Sequence, residues 1–319
     1  MQIGSSTSSP RPIATGVACG VAAGALWGLV FLAPQLLGEF NPLQLSVSRY
    51  LAYGLIALLV LAPRLRRALA PVGIDDWWTL LRLSVLGNLL YYVLLGTAVQ
   101  WAGGAAASLI VGLLPVAVTL VGSRTAGALR LSSLAWPLVL CVVGVALVGA
   151  QALIGEHGGS HGLGKRAAGL AYAFGALLSW TAYSVGNARW LSRRPAISSQ
   201  DGSLLTGVAT GALALLLAPF AFLFGAAHAP ADWWRFWSIA AVLALLASVI
   251  GNALWNRSSR LLPLTLVGQM IVFETVFALI YGFAWEGRWP NLLELLAIGC
   301  LLAGVYGCTA AHLERKRPN

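Results

Sequence analysis

Apolar residues gather into ten long runs along this chain, at roughly 14–37, 44–62, 78–99, 104–122, 134–153, 167–190, 203–223, 236–256, 262–285 and 291–312. Each run matches the ~20 residues that carry an α-helix across the hydrocarbon core of a bilayer. The pattern predicts an all-α polytopic membrane protein of ten transmembrane helices. The longest connection, about Gln151 to Arg166, holds Gly and His rather than a core, so one membrane domain is expected. The first run is too long for a signal-peptide core and has no small-residue cleavage site leading into soluble sequence, so it is expected to stay in place.

The runs come in two sets. Asp76-Trp77-Trp78 returns as Asp232-Trp233-Trp234 after 156 residues, and Gly16 to Trp27 runs parallel to Gly169 to Trp180 at an offset of 153. Leu61-Ala62-Pro63 answers Leu217-Ala218-Pro219 at 156 and Gly127 answers Gly287 at 160, a drift that loop insertions produce. Five spans per copy is odd, so the second copy must enter the membrane from the opposite side. The expected architecture is two inverted five-helix repeats about a pseudo-two-fold axis in the membrane plane, a design that opens to either side by exchanging the conformations of its halves. The division read here is a tail at 1–13, a first repeat at 14–153, a linker at 154–166, a second repeat at 167–312 and a basic tail at 313–319.

Composition strengthens the membrane reading: hydrophobic residues make up 59% of the chain and charged ones 9%, against about 25% charged in soluble domains. With the amino terminus inside, fifteen Lys and Arg residues face the cytoplasm and four, Lys165, Arg166, Arg235 and Arg288, fall outside. That asymmetry puts both termini in the cytoplasm. The net charge of +10 is then explained by topology and anionic lipid headgroups, and no basic folded surface is present for nucleic acid. Most of the 13 Trp residues, including Trp77, Trp78, Trp190, Trp233 and Trp234, lie where an interfacial belt would place them. Trp27 and Trp180, partners under the repeat, fall mid-span instead.

Leu26-Trp27-Gly28, Leu113-Leu114-Pro115, Ser179-Trp180-Thr181-Ala182-Tyr183, Phe273-Glu274-Thr275-Val276 and Trp285-Glu286-Gly287 occur in this order over the ten spans. On these motifs the chain resembles the drug/metabolite transporter superfamily and, within it, the ten-helix proteins with two EamA domains, over about Gly16 to Ala310. The family pattern of Glu-Pro in the ninth span is absent, since Thr275 follows Glu274. The resemblance implies a secondary transporter of the cytoplasmic (inner) membrane, most often an exporter of amino acids, amines, sugars or related metabolites. Aromatic amino acid exporters are the nearest structural type. No cofactor is implied; the partners are a small-molecule substrate, the lipid bilayer and, as a candidate coupling ion, the proton. A monomer or homodimer fits.

Candidate residues follow from polar groups at depth. Glu274 lies about twelve residues from either end of its run, where a charge costs roughly 2.5–3.5 kcal/mol on insertion scales. It must be neutral, paired or facing water, and is the candidate proton carrier. Arg49, some five residues into the second run, is expected to snorkel outward; pairing with Glu274 or clamping a substrate carboxylate is the alternative. Asn88 and Tyr92 share a face with Tyr91 beside them, and Asn252 and Asn256 repeat that spacing with Trp255 adjacent, so both halves offer a polar lining. Gln269 lies five residues before Glu274. Trp27, Trp180 and Tyr183 are candidate aromatic walls for an amphipathic cargo. Gly16, Gly20, Gly24 and Gly28 form a ladder that predicts close helix packing.

Other features carry less. Gly159 to Arg166 nearly spells a phosphate-binding loop, but Arg166 stands where Ser or Thr is needed and no strand precedes it. His157 and His161 are two metal ligands without a third, and Pro230 interrupts the His228 and Asp232 pair. Cys19, Cys141, Cys300 and Cys308 show no CxxC spacing and are assigned to packing, with neither disulfide nor metal. An intramembrane enzyme acting on a lipid-linked substrate would need an acid/base pair or metal site; a membrane sensor or scaffold is the third reading.

Overall fold

The computed structural model describes residues 10–122, 131–154, 162–223, 228–262 and 270–314, and among them there are helices and turns but no strands. In chain order they are α1 (Pro10–Leu36), α2 (Pro42–Leu61), α3 (Ile74–Ala102), α4 (Gly104–Val111 and Leu114–Gly122) and α5 (Leu131–Ile154). The second half follows as α6 (Leu163–Arg193), α7 (Ser199–Leu223), α8 (Pro230–Leu243, Ala244–Gly251 and Asn252–Leu261), α9 (Val272–Glu286) and α10 (Leu292–Glu314). Among the described residues six helices, α1, α2, α3, α5, α7 and α8, are long and apolar enough to cross a membrane by length and composition alone. Shorter apolar helices in α4 and α10, the more polar α6 and the 15-residue α9 pack among them. Leu55, Leu59, Val142, Leu178, Leu215, Leu216 and Phe220 stand exposed around the outside, which water would penalise and lipid does not.

Several helices begin earlier than hydropathy places them, because polar residues cap them at the interface. Asn41 Oδ1 accepts from Gln44 N–H at 2.8 Å while Gln44 Oε1 accepts from Asn41 N–H at 3.0 Å, a reciprocal box that starts α2 with Pro42 at its first position. Ser198 and Asp201 close the same kind of loop at α7, with Ser198 Oγ accepting from Asp201 N–H at 3.0 Å. The two caps are 157 residues apart, as the repeat requires. Asp76 Oδ2 accepts from Gly73 N–H at the start of α3 and Asp232 Oδ2 from Ala229 N–H at the start of α8, at 2.9 and 3.2 Å. The Asp-Trp-Trp motif is therefore a capped first turn. Gly103, at φ +93°, turns the chain sharply between α3 and α4, and Gly287, at φ +64°, ends α9 in the left-handed conformation.

Helix packing obeys the pseudo-two-fold. α2 packs on α7 and α5 on α10, so each of these contacts joins equivalent helices; α1 packs on α8 and α9 as α6 packs on α3 and α4. The axis is visible residue by residue. A methyl group on Gly54 would fall 2.5 Å from Gly211 Cα, and one on Gly211 would fall 2.7 Å from Gly54 Cα; the two glycines are equivalents. At the other self-symmetric crossing, a methyl on Gly144 would fall 2.6 Å from Leu301, and one on Gly304 would fall 2.5 Å from Cys141. Leu301 is the equivalent of Cys141 at the offset of 160 that relates the glycines.

The glycine ladder of α1 does what its spacing implies. Gly16 meets Leu262, Gly20 meets Met270 and Ser258, and Gly24 and Gly28 lie against the α9 backbone at Glu274 and Ala278. Tyr281 Oη donates to Ala25 O at 3.1 Å across the same interface. Trp190 departs from the expected interfacial belt: it is buried, with its indole N–H on Asp76, because the carboxylate gives the ring's one polar atom a partner inside.

Candidate functional site

The centre of the bundle is built where helices lose their regularity. α3 widens into a π-turn at Val85–Leu89 and α8 at Ala244–Gly251, and a π-turn releases carbonyls from the i→i−4 ladder. Side chains from other helices take them up. Ser46 Oγ donates to Leu89 O at 3.2 Å and Ser179 Oγ to Leu86 O at 2.7 Å, while Trp27 Nε1 donates to Ala247 O at 3.0 Å. Gly87 and Gly251 are the seats that admit these neighbours: the Tyr183 ring lies over Gly87 and the Trp27 indole over Gly251, leaving no room for a Cβ at either.

α4 and α9 break at matching places. α4 is interrupted at Gly112 and Leu113 ahead of Pro115, and α9 starts at Val272 after a turn at Ile271, with Gly112 packed on Thr275. Pro115 explains the first break, since it lacks an N–H. Glu274 therefore does not lie in the middle of a continuous helix as the sequence suggests. It occupies the first turn of α9, with its own N–H donating to Ile271 O at 3.1 Å. Discontinuous helices whose ends meet near the repeat axis are the usual framework of midplane binding sites.

Arg49 is the principal correction. It does not snorkel: the residue is 7% exposed, and Nη2 donates to Ser248 Oγ in the α8 π-turn at 3.2 Å. Its guanidinium carbon lies 4.7 Å from the Tyr92 ring centroid and 5.2 Å from that of Tyr50. Nε and Nη1 are buried without a hydrogen-bond partner. Packing against two tyrosines and one serine, made possible by the α8 π-turn, outweighs the short path to the interface.

Around Arg49 the structure gathers some sequence candidates and adds others. Tyr91 and Tyr92 are buried in α3, and Glu274 acts electrostatically on both Arg49 and Tyr91 although no ion pair joins it to Arg49. Tyr53 Oη donates to Ser203 O at 3.0 Å and meets the Asn252 side chain. Trp27 packs on Trp255 with ring centroids 5.1 Å apart, and Trp180 on Tyr183 at 5.8 Å. The Asn88 amide donates to Thr210 Oγ1 at 2.8 Å and ties α3 to α7. Asn256 is half-buried near the end of α8. Gln269, His157, His161 and the glycine-rich stretch from Gly159 to His161 lie outside the described residues. His228 stacks on Phe40 with centroids 4.0 Å apart while Asp232 caps α8, so these two do not act as an acid/base pair.

Tyr50, Tyr53 and Ser248 were not among the sequence candidates. Arg49 and Tyr53 are four apart and share a helix face, and that spacing was a readable signal; Ser248 had none.

Ties close both ends of this centre. At the face where α1 begins and α10 ends, Asp76 Oδ1 accepts from Trp190 Nε1 at 2.9 Å and Arg194 Nε at 2.7 Å. At the opposite face, Arg235 pairs with Glu39 at 3.4 Å and donates to Leu36 O, beside a cluster of Phe40, Phe222, Trp233 and Phe236.

Fold and centre together define a two-repeat polytopic membrane protein of transporter type. The model of the EamA-like transporter family matches residues 14–150 and 167–310, and the chain belongs to that family. Inner membrane protein YtfF of Escherichia coli (strain K12) is 32% identical over 323 residues, covering 94% of this chain and 97% of that protein. A crystal structure matches with a TM-score of 0.62 over 95% of this chain and 99% of the other, at 18% identity, which shows a shared fold.

Proposed function

We propose that this chain is a secondary transporter that exports a small polar or amphipathic metabolite, such as an amino acid, by alternating access. Both termini lie in the cytoplasm, and the inner membrane is its location, in keeping with the name of its 32% identical relative. The observation that carries the reading is the reciprocal packing of the two halves together with a buried Arg49 whose Nε and Nη1 lack hydrogen-bond partners. Exchanging the conformations of two equivalent halves moves the opening from one face to the other while leaving the centre in place. Trp27, Asn88, Tyr91, Tyr92, Trp180, Tyr183, Asn252, Trp255, Asn256 and Gln269 are the candidate lining, and one chain supplies both halves of the pair, so a monomer suffices.

Glu274 is the proposed proton carrier, as a buried-segment carboxyl that interacts electrostatically with Arg49. Purified protein would be screened by thermal shift against amino acids, polyamines, sugars and aromatic metabolites, and stabilising compounds taken into proteoliposomes at two internal pH values. Saturable flux that depends on pH in the wild type and loses that dependence in Glu274→Gln is the expected result. Wild-type rate with an unchanged pH profile in Glu274→Gln removes the proton role, and no flux of any stabilising compound removes the transporter reading.

A further inference from the structure

Resting on that reading, we propose that Arg49 is the seat for a carboxylate group on the cargo. The Nε and Nη1 atoms carry three N–H donors between them, all buried, none with an acceptor. Burying charged donors unsatisfied is costly, and a purely structural tie does not require it: the bond to Ser248 uses one N–H of Nη2. Tyr50 and Tyr92 lie against the guanidinium, its carbon 5.2 and 4.7 Å from their ring centroids, and the Tyr92 hydroxyl also interacts with it. Each two-donor edge pairs Nη2 with Nε or Nη1, so the unpartnered Nε and Nη1 each offer a donor to a ligand. A guanidinium edge matches the planar oxygens of a carboxylate.

Charge narrows the class. Among the described residues Arg49 is the only buried Lys or Arg, so the seat offers one positive charge and suits a monoanion over a phosphate dianion. The titratable groups around it are Tyr50 and Tyr53 from α2, Tyr91 and Tyr92 from α3, Tyr183 from α6 and Glu274 from α9; α8 presents Ser248 and Asn252, which do not titrate. Without cargo, Arg49 and ionised Glu274 balance. A carboxylate at Arg49 leaves one negative charge in excess, so it must arrive with an ammonium group of its own or with a proton for Glu274. Amino acids and bare carboxylates therefore differ in how their binding depends on pH.

The test uses the full chain in lipid nanodiscs, with Trp fluorescence following two isosteric sets: phenylalanine, 3-phenylpropionate and 2-phenylethylamine; leucine, 4-methylpentanoate and 3-methylbutylamine. The carboxylate-bearing members of at least one set are expected to bind at least about tenfold more tightly than its amine. That preference disappears in Arg49→Gln and survives in Gly299→Ala, where an added methyl group meets nothing within 4 Å. In Glu274→Gln the bare carboxylate binds as tightly at high pH as at low pH, an outcome that needs no folded Arg49 variant.

An amine that binds as well as its amino acid, a preference that persists in folded Arg49→Gln, or no carboxylate binding at all overturns the seat. Carboxylate binding without flux in proteoliposomes supports the seat and retires transport; saturable flux of other compounds without carboxylate binding does the reverse.

Discussion

Gly54→Leu is expected to yield no monodisperse protein, and Gly54→Ala a folded but weakened one. A methyl group at position 54 would stand 2.5 Å from Gly211 Cα, whereas carbon atoms pack at about 3.5–4.0 Å. The other wall is backbone, which cannot rotate away, so α2 and α7 must part by an ångström or more across the pseudo-two-fold axis. Overpacking of this kind costs about 1–3 kcal/mol for one methyl, and three further carbons exceed what a fold stabilised by roughly 5–15 kcal/mol tolerates. Gly211→Ala should match Gly54→Ala in size because the contact is reciprocal. The double variant should lose less than the two single losses combined, since helices already separated by one methyl accept the second more easily. Gly299→Ala is the control: nothing lies within 4 Å of a methyl there, and its melting temperature should stay near that of the wild type. Additive losses at 54 and 211, or a Gly54→Leu protein that melts like the wild type, would refute the contact.

That crossing also shows what the sequence could and could not convey. Lipid demands long apolar runs, so spans were legible one after another, and the ladder from Gly16 to Gly28 announced a close approach by its spacing alone. Rotation about each helix axis was not legible. In water an apolar stripe marks the buried face, but in a bilayer both faces are apolar and the stripe vanishes. Arg49 illustrates the loss: its depth suggested snorkelling, while its direction depended on a π-turn in α8 that brings Ser248 to it. Pro115 signalled the break in α4, whereas Thr275 gave no sign that α9 starts three residues earlier at Val272. Asn88 and Asn252, read from their spacing as polar lining, fall within or directly after the two π-turns.

The repeat is a symmetry of backbone more than of side chains, and the two faces differ for that reason. α3 is tied to α6 at one face and α8 to α1 at the other, the same pair of helices under the two-fold. The first tie buries Asp76 at 2% exposure with an indole and a guanidinium on it; the second is an ion pair with side chains 47% and 37% exposed. Exposed pairs contribute at most about 1 kcal/mol, so the face where α1 begins and α10 ends is held more firmly.

Asp76→Ala against Asp232→Ala measures that difference at equivalent positions. Each substitution removes a helix cap worth about 1 kcal/mol. Asp76→Ala also strands the Trp190 N–H, 6% exposed as a residue, which adds about 1–3 kcal/mol for a buried donor without an acceptor. The Arg194 contribution is small, because that side chain is 43% exposed and water screens it. Asp76→Ala should therefore destabilise by about 2–4 kcal/mol and Asp232→Ala by about 1 kcal/mol, read from denaturant or thermal melts in one detergent. Trp190→Phe in the Asp76→Ala background should recover part of the loss by removing the stranded donor. Equal losses for the two aspartates would mean that the cap alone stabilises each helix start and that the Asp76 face is held no more firmly than the other.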